Sequence, residues 1–218
     1  MAQIFHPSTK VISRASIVIT ILVISLVSWT AFEIYEAGYT TEVGIPRVQR
    51  VPFSHEHHVN GLGLDCQYCH TSVTTSSFAG IPPTHTCMTC HSQIWNTSPM
   101  LEPVRESYRT QKPLQWIRVN DLPDFVYFNH SIHVAKGIGC ETCHGRVDLM
   151  PLTWKQNTLF MRWCLDCHRN PEKFIRPKEE VFNMKYQPPQ DQLVMGRKLV
   201  KEYNVQVSRI SDCSTCHR

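Results

Sequence analysis

All ten cysteines of this 218-residue chain fall into five copies of one pattern, C-x-x-C-H. They are Cys66-Gln-Tyr-Cys69-His70, Cys87-Met-Thr-Cys90-His91, Cys140-Glu-Thr-Cys143-His144, Cys164-Leu-Asp-Cys167-His168 and Cys213-Ser-Thr-Cys216-His217. With 12 His in the whole chain, a His after each of five pairs is not chance. Structural zinc uses four ligands, commonly two C-x-x-C pairs per ion, so an odd number of pairs strands one. A disulfide framework gives no reason for the His. C-x-x-C-H is the attachment site of c-type haem: two thiols bond to the porphyrin vinyl groups and the adjacent His reaches the iron. The cysteines therefore predict five covalently bound haem c groups, with His70, His91, His144, His168 and His217 as proximal iron ligands.

Low-spin haem needs a second axial ligand, usually His or Met. Two near-copies of F-x-H-x-x-H-V supply four: Phe53 with His55 and His58, and Phe128 with His130 and His133. Residues three apart on a helical turn face the same way, so each pair can serve two neighbouring haems from one short helix. His57 breaks the repeat and reads as a loop residue. His85, two residues before Cys87, is a candidate for the fifth distal ligand. So are Met150 and Met161, with Met184 and Met195 behind them, and the sequence does not choose. The motifs start at 66, 87, 140, 164 and 213, so equivalent members recur after 74, 77 and 73 residues. This internal repeat divides the chain into approximate units 53–127 and 128–205 with a partial unit 206–218.

Residues 15–32 carry no charge and are rich in Ile, Val and Leu. As a helix they rise about 27 Å, near the thickness of a bilayer's hydrocarbon core. A cleaved leader is the competing reading. The bulky run Val27-Ser-Trp-Thr-Ala-Phe32 lacks the small-residue cleavage pattern, so an uncleaved anchor fits better. Lys10 and Arg14 before the apolar run place residues 1–14 in the cytoplasm, 15–35 in the membrane and 36–218 outside it. That is a single-pass protein of the cytoplasmic (inner) membrane with its haem domain in the periplasm.

The domain from 36 onward is expected to be mostly irregular with short α-helices, its core made largely by the haems. Residues 192–203 read as an amphipathic helix. Residues 99–128 and 145–160 read as connectors, with 116–119 a short strand. Trp95, Trp116, Trp154 and Trp163 are expected on haem edges, and Arg146, Arg162, Arg169 and Arg218 are candidate partners of haem propionates. A net charge of +4 without a basic run excludes a nucleic-acid stripe, and 42% hydrophobic against 18% charged residues excludes a disordered chain. No nucleophile set, phosphate loop or paired-carboxylate motif stands out, so no catalytic residue is assigned.

The paired F-x-H-x-x-H segments followed by C-x-x-C-H resemble the cytochrome c3/c7 class. With the anchor, residues 116–130, the block from Ala79 to Cys90 and Met161-Arg-Trp-Cys-Leu-Asp-Cys-His-Arg169, the chain is similar to the pentahaem cytochrome c subunit of alternative complex III. The resemblance implies an electron-transfer subunit of a membrane quinol:acceptor oxidoreductase. Its implied partners are an iron–sulfur protein that donates electrons, a polytopic quinol-binding protein, and a monohaem cytochrome c or terminal oxidase that accepts them. The alternative is a self-sufficient membrane-anchored multihaem quinol dehydrogenase that feeds periplasmic reductases.

Overall fold

The computed structural model describes residues 5–217, so Arg218 lies outside the described residues. The chain divides into two compact units, Met1–Val43 and Gly44–Arg218.

The first unit is dominated by α1 (Ser8–Glu36), about 43 Å long at 1.5 Å per residue. Ile, Val and Leu point outward all round it and none is buried. By length and composition this one helix can cross a membrane. It extends the uncharged stretch at both ends, because Lys10, Arg14, Glu33 and Glu36 cost a helix nothing once they reach the polar boundary. The Trp29 indole donates to Glu33 at 3.0 Å. A short helix α2 (Gly38–Thr41) follows and closes at Glu42 in a left-handed conformation.

The second unit is built of short helices: a π-helical turn (Glu56–Gly61), α3 (Cys66–Cys69), α4 (Thr84–His91), α5 (Glu102–Thr110), α6 (His130–Ala135), α7 (Cys140–His144), α8 (Met161–Arg169), α9 (Gln192–Glu202), α10 (Val207–Ile210) and α11 (Cys213–Cys216), with single 3-10 turns between them. The described residues form no strand; isolated bridges join Pro46 to Trp154 and Ile138 to Ile175. The strand expected at 116–119 is therefore absent. Gln49 explains this: its side-chain amide donates to the Ile117 carbonyl at 2.8 Å and accepts from the Ile117 N–H at 2.9 Å, replacing a strand neighbour. The connector expected at 99–128 contains α5, which buries Val104 and Ser107. The helix read at 192–203 forms as α9.

Only nine hydrophobic side chains are buried among the described residues. Val51, Leu101 and Val104 make one cluster, with Cys87, Met88, Leu114 and Trp116 packed on it. Near the C-terminus α9 seats on the turn Pro171–Lys173 through Gly196, where a Cβ would run into the Glu172 backbone. Large apolar side chains beside the motifs stay uncovered, among them Ile81, Phe125, Ile132 and Met161. Protein alone builds too little core for this unit.

Candidate haem-binding sites

Each C-x-x-C pair lies on a helical turn, which sets its two thiols on one side. The residues before Cys66, Cys140 and Cys213 are extended, and Asp65 caps α3 by accepting from the Gln67 N–H at 2.7 Å. All ten cysteines are unpaired. Burial pushes the thiols of Cys66, Cys69, Cys87 and Cys164 up, and those of Cys140, Cys143 and Cys167 up to about 12. Such surroundings disfavour free thiolates and accept an uncharged thioether. Among the described residues no three His, Cys, Asp or Glu side chains converge to hold a bare metal ion.

The two F-x-H-x-x-H segments fold alike. Phe53 meets His55 edge-on at 4.9 Å and stacks on His58 at 4.5 Å. Phe128 does the same to His130 at 4.7 Å and His133 at 4.5 Å. The Nδ1 of His58 bonds to the Ser54 carbonyl at 2.8 Å and that of His133 to the Asn129 carbonyl at 2.7 Å, each four residues back.

Carbonyls hold the other rings in the same way. His70 Nδ1 pairs with Gly80 O (2.7 Å), His91 with Ile94 O (3.1 Å), His130 with Ser77 O (2.9 Å), His168 with Ile210 O (2.7 Å) and His217 with Phe125 O (3.1 Å). Two imidazoles are held by side chains instead: His55 by the Thr153 hydroxyl at 3.0 Å and His144 by the Asn120 amide at 3.2 Å. A carbonyl accepts, so Nδ1 carries the proton and Nε2 is left with a lone pair for a metal. Burial lowers the pKa of His58 and His133, and takes His55 and His144 down to about 4, which keeps these rings in the neutral, ligating form.

The rings then face each other in pairs. Centroids are 6.1 Å apart for His58 and His91, 6.4 Å for His130 and His144, whose planes differ by 3°, and 6.0 Å for His133 and His168. With metal–imidazole bonds of about 2 Å, two imidazoles on opposite sides of one iron have centres about 6 Å apart. For His55 the imidazole with the largest electrostatic influence is His70. Histidines of the two H-x-x-H turns thus lie beside histidines of the C-x-x-C-H motifs.

His57 and His85 differ. Neither has an Nδ1 hydrogen bond; His57 stacks on Trp95 at 6.2 Å and His85 is tilted against Tyr108 at 6.3 Å. Met150 and Met184 are buried in protein, Met150 to 1% exposure. Met161 instead lines a cavity with Cys164, His168, Cys213, Cys216 and His217. Arg146 grips Asp148 through two bonds of 2.8 and 2.7 Å. Sequence reasoning missed Asn120 and Thr153, which lie 24 and 98 residues from the rings they hold.

Motif order in space differs from motif order in sequence. The first and second motifs touch through Tyr68 and Thr89 (2.9 Å). The first bears electrostatically on the third, Cys66 on Cys140 and His70 on His144. The third neighbours the fourth through Cys143 with Cys164 and Cys167, and the fourth shares its cavity with the fifth. These neighbour contacts link the motifs in the order second, first, third, fourth, fifth. The free thiols, the paired imidazoles and the uncovered apolar side chains fit haem.

Residues 126–218 match the family model for cytochrome c7 and related cytochrome c. This part of the chain resembles the multihaem domains of that family. It holds three of the five motifs and the second distal turn. The multiheme cytochrome c subunit of menaquinone reductase from Nitratidesulfovibrio vulgaris is 36% identical over 125 residues, 56% of this chain and 55% of the relative. The chain thus spans about half the length of the curated relative it matches. The matched part thus resembles haem-carrying electron-transfer domains, with a helix-rich irregular architecture, in a chain that bears one helix able to cross a membrane.

Proposed function

We propose that this chain is a membrane-anchored pentahaem wire, relaying electrons between other subunits of a quinone-linked complex. The observation that carries the reading is the set of facing imidazole pairs. Haem supplies a one-electron Fe(III)/Fe(II) couple. The cysteine pairs would attach it, and His70, His91, His144 and His168 would hold its iron together with His55, His58, His130 and His133. His217 pairs with Met161, which shares its cavity, in place of His85 or Met150. Two protein ligands per iron leave no open position for substrate, so the chain conducts and other subunits carry the chemistry.

The anchor holds the domain at the periplasmic face of the inner membrane. An iron–sulfur subunit, a polytopic quinone-binding subunit and a monohaem cytochrome c are the partners, as in alternative complex III, where quinol is oxidised. The name of the relative, a menaquinone reductase subunit, favours a second reading in which electrons run towards quinone. Gentle solubilisation of tagged protein, with mass spectrometry of the co-purified chains and a haem count, tests the assignment. Five haems with a polytopic and an iron–sulfur partner are expected. A chain that purifies alone while quinol still reduces its haems would identify a self-sufficient quinol dehydrogenase. Met161→Leu should remove the near-infrared charge-transfer band of ferric iron bound to a thioether; a band that persists excludes Met161.

A further inference from the structure

Seven of the nine imidazoles with an Nδ1 hydrogen bond in the motif-bearing unit are held by main-chain carbonyls, which no substitution removes. His144 and His55 are the exceptions, held by Asn120 and Thr153. Both exceptions belong to the first and third motifs, which sit second and third in the five-motif row. The chain therefore carries one exchangeable hydrogen-bond partner at each of two inner motifs, while the fourth motif and both ends have only main-chain partners.

We propose that Asn120 and Thr153 are positioning residues that set the reduction potentials of these two inner haems, an inference that rests on the ligand reading above. For His144 to bind iron through Nε2, its Nδ1 must carry the proton and donate it. As placed, the Asn120 amide nitrogen Nδ2 lies 3.2 Å from that Nδ1; the same amide turned by 180° in the same volume puts its oxygen there as the acceptor that an Nε2-ligating ring requires. Thr153 has a hydroxyl oxygen that accepts in the same way while its own proton goes elsewhere. An acceptor at Nδ1 makes the imidazole a stronger electron donor and favours the ferric state; its loss favours the ferrous state. One electron enters or leaves the iron and the Nδ1 proton stays on the ring.

The direction is opposite for the two kinds of variant, which a merely structural role does not produce. Asn120→Asp strengthens the acceptor and lowers one potential. Asn120→Leu removes it and raises the same potential. Thr153→Val raises a second one. Each acceptor lost should change the ferrous-to-ferric ratio of its haem about tenfold at fixed applied potential, the lower end of what outer-shell partners do to metal affinity; for one electron that is about 59 mV. Ser77→Ala is the control, because the Ser77 carbonyl that holds His130 survives the substitution.

Spectroelectrochemistry of the full-length holoprotein in detergent reads all five potentials, and ferric electron paramagnetic resonance reads spin state. Opposed shifts for Asn120→Asp and Asn120→Leu, with Ser77→Ala unchanged and every haem low-spin, support the proposal. Superimposable curves for wild type, Asn120→Asp and Thr153→Val, with full low-spin haem content, overturn it. Wild-type protein without low-spin haem would instead overturn the ligand reading beneath it.

Discussion

His57 and His58 are adjacent in sequence, yet their surroundings assign them different work. His58 faces His91 and has its Nδ1 fixed by the Ser54 carbonyl; His57 stacks flat on Trp95, at 11° between planes, and has no Nδ1 partner. His58→Ala should therefore convert one ferric haem from low to high spin. His57→Ala and His85→Ala should leave every haem low-spin and cost at most about 1 kcal/mol, the worth of a ring contact beyond its buried area. Electron paramagnetic resonance of the three oxidised variants checks this, and a high-spin signal from His85→Ala would return that residue to the ligand set. The attaching and ring-paired residues were legible in the sequence because their chemistry is written at fixed short spacings, C-x-x-C-H and H-x-x-H. Acceptors such as Gly80, Ile94, Ser77 and Ile210 were not legible, since any residue offers a carbonyl and only the fold decides which one arrives.

Elements in this chain form where a short segment has a special duty, and the sequence reveals them to the degree that the duty has a period. Segment 192–202 has a helical period and forms α9. The nine residues of α5 read as part of a connector, although Val104 and Ser107 give them one buried face on an otherwise polar turn of chain. The missing strand at 116–119 shows the converse, since one glutamine side chain satisfied the backbone that a strand partner would have served. Two substitutions test these elements. Val104→Ala removes two methyl groups from the cluster of Val51 and Leu101 and should cost about 2 kcal/mol, at roughly 0.8 kcal/mol per group plus a cavity contribution. Gly196→Ala would gain up to about 1 kcal/mol in helix propensity, but its Cβ meets the Glu172 main chain, and overpacking of this kind costs about 1–3 kcal/mol. Chemical denaturation followed by far-ultraviolet circular dichroism should show both variants less stable than wild type. A stabilised Gly196→Ala would mean that α9 does not seat on that turn.

The whole molecule has five motifs in a row whose middle member is the third, at Cys140, Cys143 and His144. A row differs from a cluster in what one break does to it. Replacing Cys140 and Cys143 together by Ala prevents attachment at the centre and leaves two motifs on each side. Replacing Cys213 and Cys216 removes an end and leaves four motifs contiguous. If electrons pass along the row, a donor confined to one end should rapidly reduce only the two haems on its own side of the central break, while the two beyond it follow slowly. With the end motif deleted, the four remaining haems should reduce together, or fail together if the donor docks at that end. Stopped-flow absorbance with an immobilised or protein-sized reductant separates these outcomes, because a small diffusible reductant would reach every haem directly. Equal, single-phase reduction of all four remaining haems in the centrally broken variant would show that electrons bypass the third motif, and the row would then be a packing arrangement and not the path.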